Sequence, residues 1–443
     1  LILEVRTKRN QERWTNPQIK NNEKGGCKTR LFFKTKNRMT TLNIGGVPAA
    51  EIAAQFGTPV YVYDADRIVD QYHRLFNAFP GVKVSLHYAL KASNNVNILR
   101  LLKQEGAGLD AVSIQEVQLG LRAGFAPQQI MYTPNCVDFE EIKAAVELGV
   151  HINVDNISIL EQFGHFYGGS VKCCIRLNPH ILAGGHSHIS VGHIDSKFGI
   201  SINQLRHVLR VVNSHKMKIN GLHMHTGSDI LDAEVFLRGA ELLFEAAADF
   251  PDLEFMDFGS GFKVPYKSDD IVTDIEDTGR RISEAFKEFC SKYGRDLELW
   301  FEPGKFIVSD AGYLLVKANV IKQTTSTVFI GVDSGQNHLI RPMFYDAYHR
   351  IENVSNPEGL PRVYSVVGYI CETDTLGYDR KIAEAREGDI LAIYNAGAYG
   401  FTMSNNYNAR FRPAEVLVMN GEAKLIRQRE TFEDLIRNEI EVI

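Results

Sequence analysis

Between residues 80 and 305 the chain alternates short apolar runs with stretches whose apolar positions recur every three or four residues. The runs are VSLHYAL (84–90), GLDAVS (108–113), IMYTPN (130–135), HINVDN (151–156), VKCCIRLNP (171–179), INGLHMHTGS (219–228), LEFMDFGSG (253–261) and LELWFEPGK (297–305). Between them, NNVNILRLLKQEG, SIQEVQLGLRAG and DFEEIKAAVELG carry helical spacing, and each closes on a glycine, the residue that accepts the left-handed turn beyond a helix end. Eight strand-like runs with intervening helices over ~220 residues predict an α/β fold built on a (β/α)8 barrel rather than an open sheet. After residue 310 the pattern changes. VKANVIKQT, TVFIGVD, RVYSVVGYI, DILAIYNAG and AEVLVMN are β-branched runs between turn residues without long helices, and they predict a C-terminal antiparallel β-domain. TPVYVYD (58–64) is strand-like, precedes the barrel, and is expected to join that second domain. The expected division is an extension over 1–38, a strand segment over 39–65, the barrel over 66–309 and the β-domain over 310–443.

Composition narrows the class. No run of roughly eighteen apolar residues occurs, so no membrane-spanning helix is expected. The net charge of −5 argues against a nucleic-acid-binding surface. Six cysteines without a C-x-x-C pair read as reduced thiols of a cytoplasmic protein rather than as a disulfide framework or zinc site, and no metal is expected. The first 38 residues hold eleven Lys/Arg against three Asp/Glu, a surplus of 11 − 3 = 8, and lack apolar periodicity; they read as an unfolded extension.

Chemistry in such a barrel sits where strands end. There the chain places Lys91, Asp110, Asn135, Asp155, Arg176, His225, Gly259-Ser260-Gly261 and Glu302, a set that a purely structural barrel has no need of. Lys91 ends a buried strand, where desolvation is expected to lower its pKa and free an amine for Schiff-base chemistry. His223 reads as an ordinary core or surface histidine. His225 precedes Thr226-Gly227-Ser228, so its imidazole can stack on a planar cofactor while the following amides and Ser228 meet a phosphate. Gly259 and Gly261 follow the seventh run, where barrel loops commonly build phosphate sites from backbone N–H groups. Glu302 can hold the nitrogen of a heterocycle protonated. In the β-domain, CETDT (371–375) and NAGAYGFTMSNNYNARFRPAEVL (395–417) are rich in polar and aromatic side chains, and Arg341 can clamp a carboxylate.

Taken together, TPVYVYD, YALKASNN, GLDAVS, DSKFGI, HMHTGS, FGSGF, EPGK, RPMFYDAYH, CETDTLG and GAYGFTMSNNYNARFRPAEVLV resemble the barrel-type pyridoxal-5′-phosphate decarboxylases of ornithine, arginine and diaminopimelate, and in detail the diaminopimelate decarboxylases. The resemblance runs from about residue 57 to 418 and implies an alanine-racemase-like architecture. It implies that Lys91 bonds the cofactor, His225 stacks on its ring and Glu302 binds its nitrogen. Ser228, Gly259, Gly261, Gly304 of the EPGK turn and Tyr399 then surround the phosphate. Lys305, Arg341, Tyr345, Glu372 and Tyr399 take the substrate, and Cys371 is the candidate proton donor. Cys371 and Glu372 are implied to reach the partner subunit's site, hence a homodimer. Three departures bear on substrate preference: Lys305 where the family usually has Arg, Ser260 where a third glycine is common, and CETDT for the more usual Cys-Glu-Ser-Gly-Asp. Other basic amino acids and carboxynorspermidine are the alternative substrates. A catalytically silent cofactor-binding homologue is the alternative of another class.

Overall fold

The computed structural model describes residues 42–181 and 195–443, so the extension expected over 1–38 lies outside the described residues. Eight strands, Lys83–Ala89, Gly108–Ala111, Ile130–Tyr132, His151–Val154, Lys172–Asn178, Lys218–His223, Phe255–Asp257 and Glu298–Phe301, pair in sequence order, all parallel. Pairing of Glu298–Phe301 with Lys83–Ala89 closes the ring, which is the expected (β/α)8 barrel. Strands such as Gly108–Ala111 and Ile130–Tyr132 are buried at every position, because helices cover one face and the barrel interior the other. The helices begin where short polar side chains satisfy free amides. Asn95, Ser113, Asp138 and Asn156 each accept a backbone N–H from the first turn of the helix that follows.

Inward and outward positions separate by strand alternation. Ile130 packs against Gly120 of an outer helix, so Met131, one residue on, faces inward. There it clusters with Cys174, Phe255 and Trp300. Trp300 stacks on Phe255 at 3.7 Å and on His87 at 4.0 Å between ring centroids, plugging the barrel with aromatic rings.

The second sheet runs Thr375–Ala383, Pro361–Val367, Val328–Val332, Gly312–Gln323, Val60–Asp64, Ala414–Met419, Glu422–Arg427, with Ile390–Ile393 and Ile351–Asn353 branching from Gly312–Gln323. It is the expected antiparallel β-domain, with two parallel pairings within it: Val328–Val332 with Pro361–Val367, and Ala414–Met419 with Val60–Asp64. The segment before the barrel also holds a helix, Ala49–Phe56, beside the expected strand. Three strands escape the sequence pattern: Ile351–Asn353, Thr375–Ala383 and Glu422–Arg427. The last two are the outermost of the seven-strand row. An edge strand lacks the two-sided burial that makes a run apolar, so DRK and EAK interrupt the alternation.

The β-domain also grips the barrel. Glu415, buried on Ala414–Met419, accepts from Tyr63 Oη at 2.7 Å and from Asn95 Nδ2 at 2.9 Å, with Arg427 as its counter-charge. Asn95 caps the helix that follows Lys91, so the loop bearing that lysine is fixed from both domains. Thr402 Oγ1 donates to the Lys91 carbonyl at 3.1 Å, and the Tyr399 amide donates to the Ala92 carbonyl at 2.8 Å. Among the described residues, no helix is long and apolar enough to cross a membrane.

Candidate active site

A cavity of about 610 Å³ opens at the C-terminal rim of the barrel strands, under the β-domain. Among the residues lining it are Lys91, His225, Ser228, Gly261, Glu302, Gly304, Lys305, Arg341, Tyr345 and Tyr399. These come from segments more than 300 residues apart in sequence: the closed barrel gathers those up to Lys305, and the β-domain adds Arg341, Tyr345 and Tyr399.

Lys91 leaves the strand Lys83–Ala89 and points its Nζ at Asp110 Oδ2, 2.9 Å away on the neighbouring strand. The side chain is 41% exposed, into the cavity it helps line. Desolvation lowers the amine's pKa, but Asp110, Tyr399 and Glu302 together outweigh it and hold the amine above the usual lysine range. This departs from the expectation of a lowered pKa: Asp110, Tyr399 and Glu302 favour the protonated amine. Burial and Glu302 push the Asp110 carboxyl upward while Lys91 draws it back.

Glu302 follows the last barrel strand. Its Oε2 lies 3.1 Å from His223 Nε2, and its Oε1 is buried without a partner. Burial alone would raise this carboxyl, but His223, Lys91 and His225 hold it below the usual carboxylate range, so it is ionised. His225 is neutral, pushed down to about 3 by burial and by the cations Arg176 and Lys91. Its Nδ1 accepts the Ser260 amide at 3.2 Å, which fixes the proton on Nε2.

Opposite the carboxylate end, two loops zip together through Ile230 N–H to Gly261 O at 2.8 Å. Gly259 has φ +62° and Gly261 φ +125°. A Cβ at Gly259 would meet His225 Nδ1 at 2.6 Å, and one at Gly261 would strike the Gly227 carbonyl, so both positions require glycine. Ser228 Oγ is buried beside them with no partner, as is Thr226 Oγ1. A buried, unpartnered hydroxyl beside two positive-φ glycines forms a place for an anion.

The remaining candidates divide. Arg341 opens a short helix, Arg341–Tyr345, and stands over Tyr266 (5.6 Å), Tyr345 (5.8 Å) and Tyr399 (5.9 Å), with its Nε buried and unpartnered. Lys305 lines the cavity but is ion-paired to Asp229. Cys371 and Glu372 are off the cavity, exposed on the surface. Asn408 Nδ2 donates to Cys371 Sγ at 3.2 Å, and Glu372 accepts from Gln336 Nε2 at 2.6 Å and Tyr407 Oη at 3.0 Å. His223 is the core histidine the sequence allowed, fully buried, and its contact with Glu302 ties it to the site. The signal was available: on a strand, residues 223 and 225 share a face. Asp257, Asp229 and Tyr266 were also missed, for no motif marks them.

Comparison with known proteins comes to the same group. Residues 65–309 match the family model described as pyridoxal-dependent decarboxylase, pyridoxal binding domain. The chain is 41% identical over 408 residues to the diaminopimelate decarboxylase of Methanothermobacter thermautotrophicus, covering 90% of this chain and 95% of that protein. It is 36% identical to that of Bacillus subtilis, covering 91% and 96%. The crystal structure of diaminopimelate decarboxylase from Helicobacter pylori complexed with L-lysine superposes with a TM-score of 0.81 at 32% identity, covering 88% of this chain and 98% of that one.

Proposed function

The chain belongs to the diaminopimelate decarboxylase family of pyridoxal-dependent decarboxylases, and on that footing we propose that it holds pyridoxal 5′-phosphate on Lys91 and converts meso-diaminopimelate to L-lysine and carbon dioxide. One observation carries the reading: an amine, an unpartnered carboxylate oxygen of Glu302 and an unpartnered Ser228 hydroxyl beside positive-φ glycines all line a single cavity. These residues fit the cofactor group by group. Lys91 meets its aldehyde carbon, His225 its ring face and Glu302 its ring nitrogen, while Ser228, Gly259, Gly261, Gly304 and Tyr399 meet its phosphate.

When bound, the cofactor supplies an electron sink for the pair left on the α-carbon as carbon dioxide departs. The chain's residues do the rest. Glu302, already ionised, presents Oε1 as an acceptor without reorganisation and so keeps the ring nitrogen protonated. Lys91 would hold the cofactor's aldehyde carbon with loss of water, and the Asp110 carboxylate, 2.9 Å from its nitrogen, would be the base within reach for the amine's proton. Arg341 takes the carboxylate at the far end of the substrate, its unpartnered Nε being a donor in waiting, with Tyr345 and Lys305 flanking it. That far carboxylate distinguishes diaminopimelate from ornithine, arginine, lysine and polyamine-like substrates. The bond from α-carbon to carboxyl breaks, and a proton takes the vacated position. Cys371 is the candidate donor of that proton and Glu372 a candidate partner for the far ammonium. Both lie away from the cavity of their own chain, which supports a homodimer in which each chain completes the other's site.

The test is carbon dioxide release across meso-diaminopimelate, ornithine, arginine, lysine and carboxynorspermidine. We expect meso-diaminopimelate to exceed the others by about 100-fold or more in kcat/KM, because a site built to pair a charged group rejects substrates lacking it. Another amino acid matching it, or turnover surviving in Lys91→Ala, would refute the assignment.

A further inference from the structure

Beneath Glu302 lies a layer of polar side chains that the cavity does not expose and that the reaction as described leaves unused. His223 and Asp257 are 0% exposed and Glu302 is 7% exposed. Strand register sets them side by side: His223 is directly opposite Asp257, and the Glu302 amide is bonded to the carbonyl of Gly259, two residues past Asp257. One ligand-type atom from each of the three lies within 4.8 Å of the others.

We propose that His223 and Asp257 are positioning residues that keep Glu302 ionised and aimed, with one oxygen tied down and the other turned to the cofactor's ring nitrogen. The proposal rests on the reading of Glu302 given above. Two carboxyls this close in a water-excluded barrel cannot both be charged, so one keeps a proton. Geometry decides which. The His223 ring nitrogen faces Glu302 Oε2 at 3.1 Å, and the proposal places the imidazole proton on that nitrogen, where Glu302 accepts it as a carboxylate. Asp257 Oδ1 accepts the Gly259 amide at 2.8 Å, and among the described residues Oδ2 has no hydrogen-bond partner, so the proposal seats the proton on Oδ2. The surroundings agree. Lys91 and the His223 hydrogen bond favour the ionised form of Glu302, whereas burial and the Glu302 charge hold the Asp257 carboxyl well above its ordinary range. Asp257 therefore joins the two ends of the site: through Oδ1 it starts the glycine loop that meets the phosphate, and through its proton it leaves the charge to the nitrogen end.

The experiment uses the holoenzyme loaded with cofactor carrying nitrogen-15 in the ring, read by NMR, together with cofactor affinity and the split of kcat from KM. In His223→Leu the ring-nitrogen signal is expected to move toward the unprotonated position. Its kcat should fall about 10-fold or more, the scale seen on losing an outer partner of a functional group, with KM nearly unchanged. His223→Gln, which restores a donor toward Oε2, is expected to recover both. Asp257→Asn, which keeps the Gly259 contact and an N–H in place of the carboxyl proton, should stay near the parent, whereas Asp257→Ala should weaken cofactor binding and shift the ring signal together. If His223→Leu does not fold, His223→Asn, polar but too short to reach Oε2, serves in its place. An unmoved ring signal in the His223 variants overturns the proposal, as does a stoichiometric divalent metal ion in the purified holoenzyme, which would occupy the oxygen the nitrogen needs. Borohydride fixation of the cofactor separates the two levels. If no cofactor is fixed to Lys91 in the parent protein, the functional reading falls; if it is fixed but the nitrogen ignores His223, only this inference falls.

Discussion

Gly259→Ala separates what the glycine loop contributes to cofactor binding from what it contributes to folding. At φ +62° an L-residue pays roughly 1–2 kcal/mol relative to glycine. The new Cβ would also stand 2.6 Å from His225 Nδ1 and 2.7 Å from the Met224 carbonyl oxygen, distances that no real methyl occupies. The imidazole must turn away and give up the Ser260 amide it accepts at 3.2 Å, a further loss of about 1 kcal/mol. The total is roughly 2–3 kcal/mol. If the loop relaxes when the cofactor is absent, the whole cost falls on binding and the dissociation constant rises about 30- to 150-fold. If it cannot relax, the same free energy is lost from stability. Both are measurable: cofactor is titrated into the apoprotein by the absorbance of its lysine-bound form, and urea midpoints are taken without cofactor. Gly304→Ala is the control for stability alone, read in the cofactor-free urea midpoint because Gly304 is itself placed at the phosphate. Its φ is −121°, and an added Cβ would meet the Ala92 and Ala89 methyls at 3.0 and 3.2 Å, which asks a shift of a few tenths of an ångström and costs less than ~1 kcal/mol. The reasoning is refuted if Gly259→Ala changes neither quantity by more than ~0.5 kcal/mol, or if Gly304→Ala costs as much.

Arg341→Ala is expected to raise KM for diaminopimelate by about 10- to 100-fold with a smaller change in kcat, the loss of one charge-assisted pair at the far end; an unchanged KM would remove Arg341 from the substrate site. Cys371→Ala and Lys91→Ala should each be inactive alone, yet mixing and reassociating them should restore about a quarter of parental activity, since half the dimers then carry one intact site; no recovery argues against shared sites. His87, buried and stacked on Trp300, is pushed down to about 4, chiefly by desolvation. The unfolded chain binds this proton below about pH 6.5 while the folded one refuses it until about pH 4, so stability present at pH 7 is lost on acidification, by roughly 2 kcal/mol at pH 5. His87→Gln should lose stability at pH 7 through packing but show a pH 7-to-5 drop in urea stability smaller by that amount; an identical drop in both proteins would refute the assignment.

The eight barrel strands were legible from the sequence because their signal is local: apolar runs of strand length, short polar caps such as Asn95 and Ser113, and a glycine past each helix. The same locality marked Lys91, Glu302 and the Gly259–Gly261 loop, since a barrel rim recurs in the sequence as the residues just after each run. What escaped depends on partners far along the chain. Thr375–Ala383 and Glu422–Arg427 are strands only because a neighbouring strand pairs with one edge of each, and their exposed sides keep no alternation. His223 became part of the site when closure of the ring put Glu302 beside it. The Lys91 amine is held above the usual lysine range because Asp110, Tyr399 and Glu302 sum at its nitrogen, a balance of fields that no segment of sequence contains. Cys371 and Glu372 lie off their own cavity for the same kind of reason, position in space rather than type of residue. Periodicity and turn chemistry are written residue by residue, whereas pairings, desolvation and summed charge come into being only when distant segments meet.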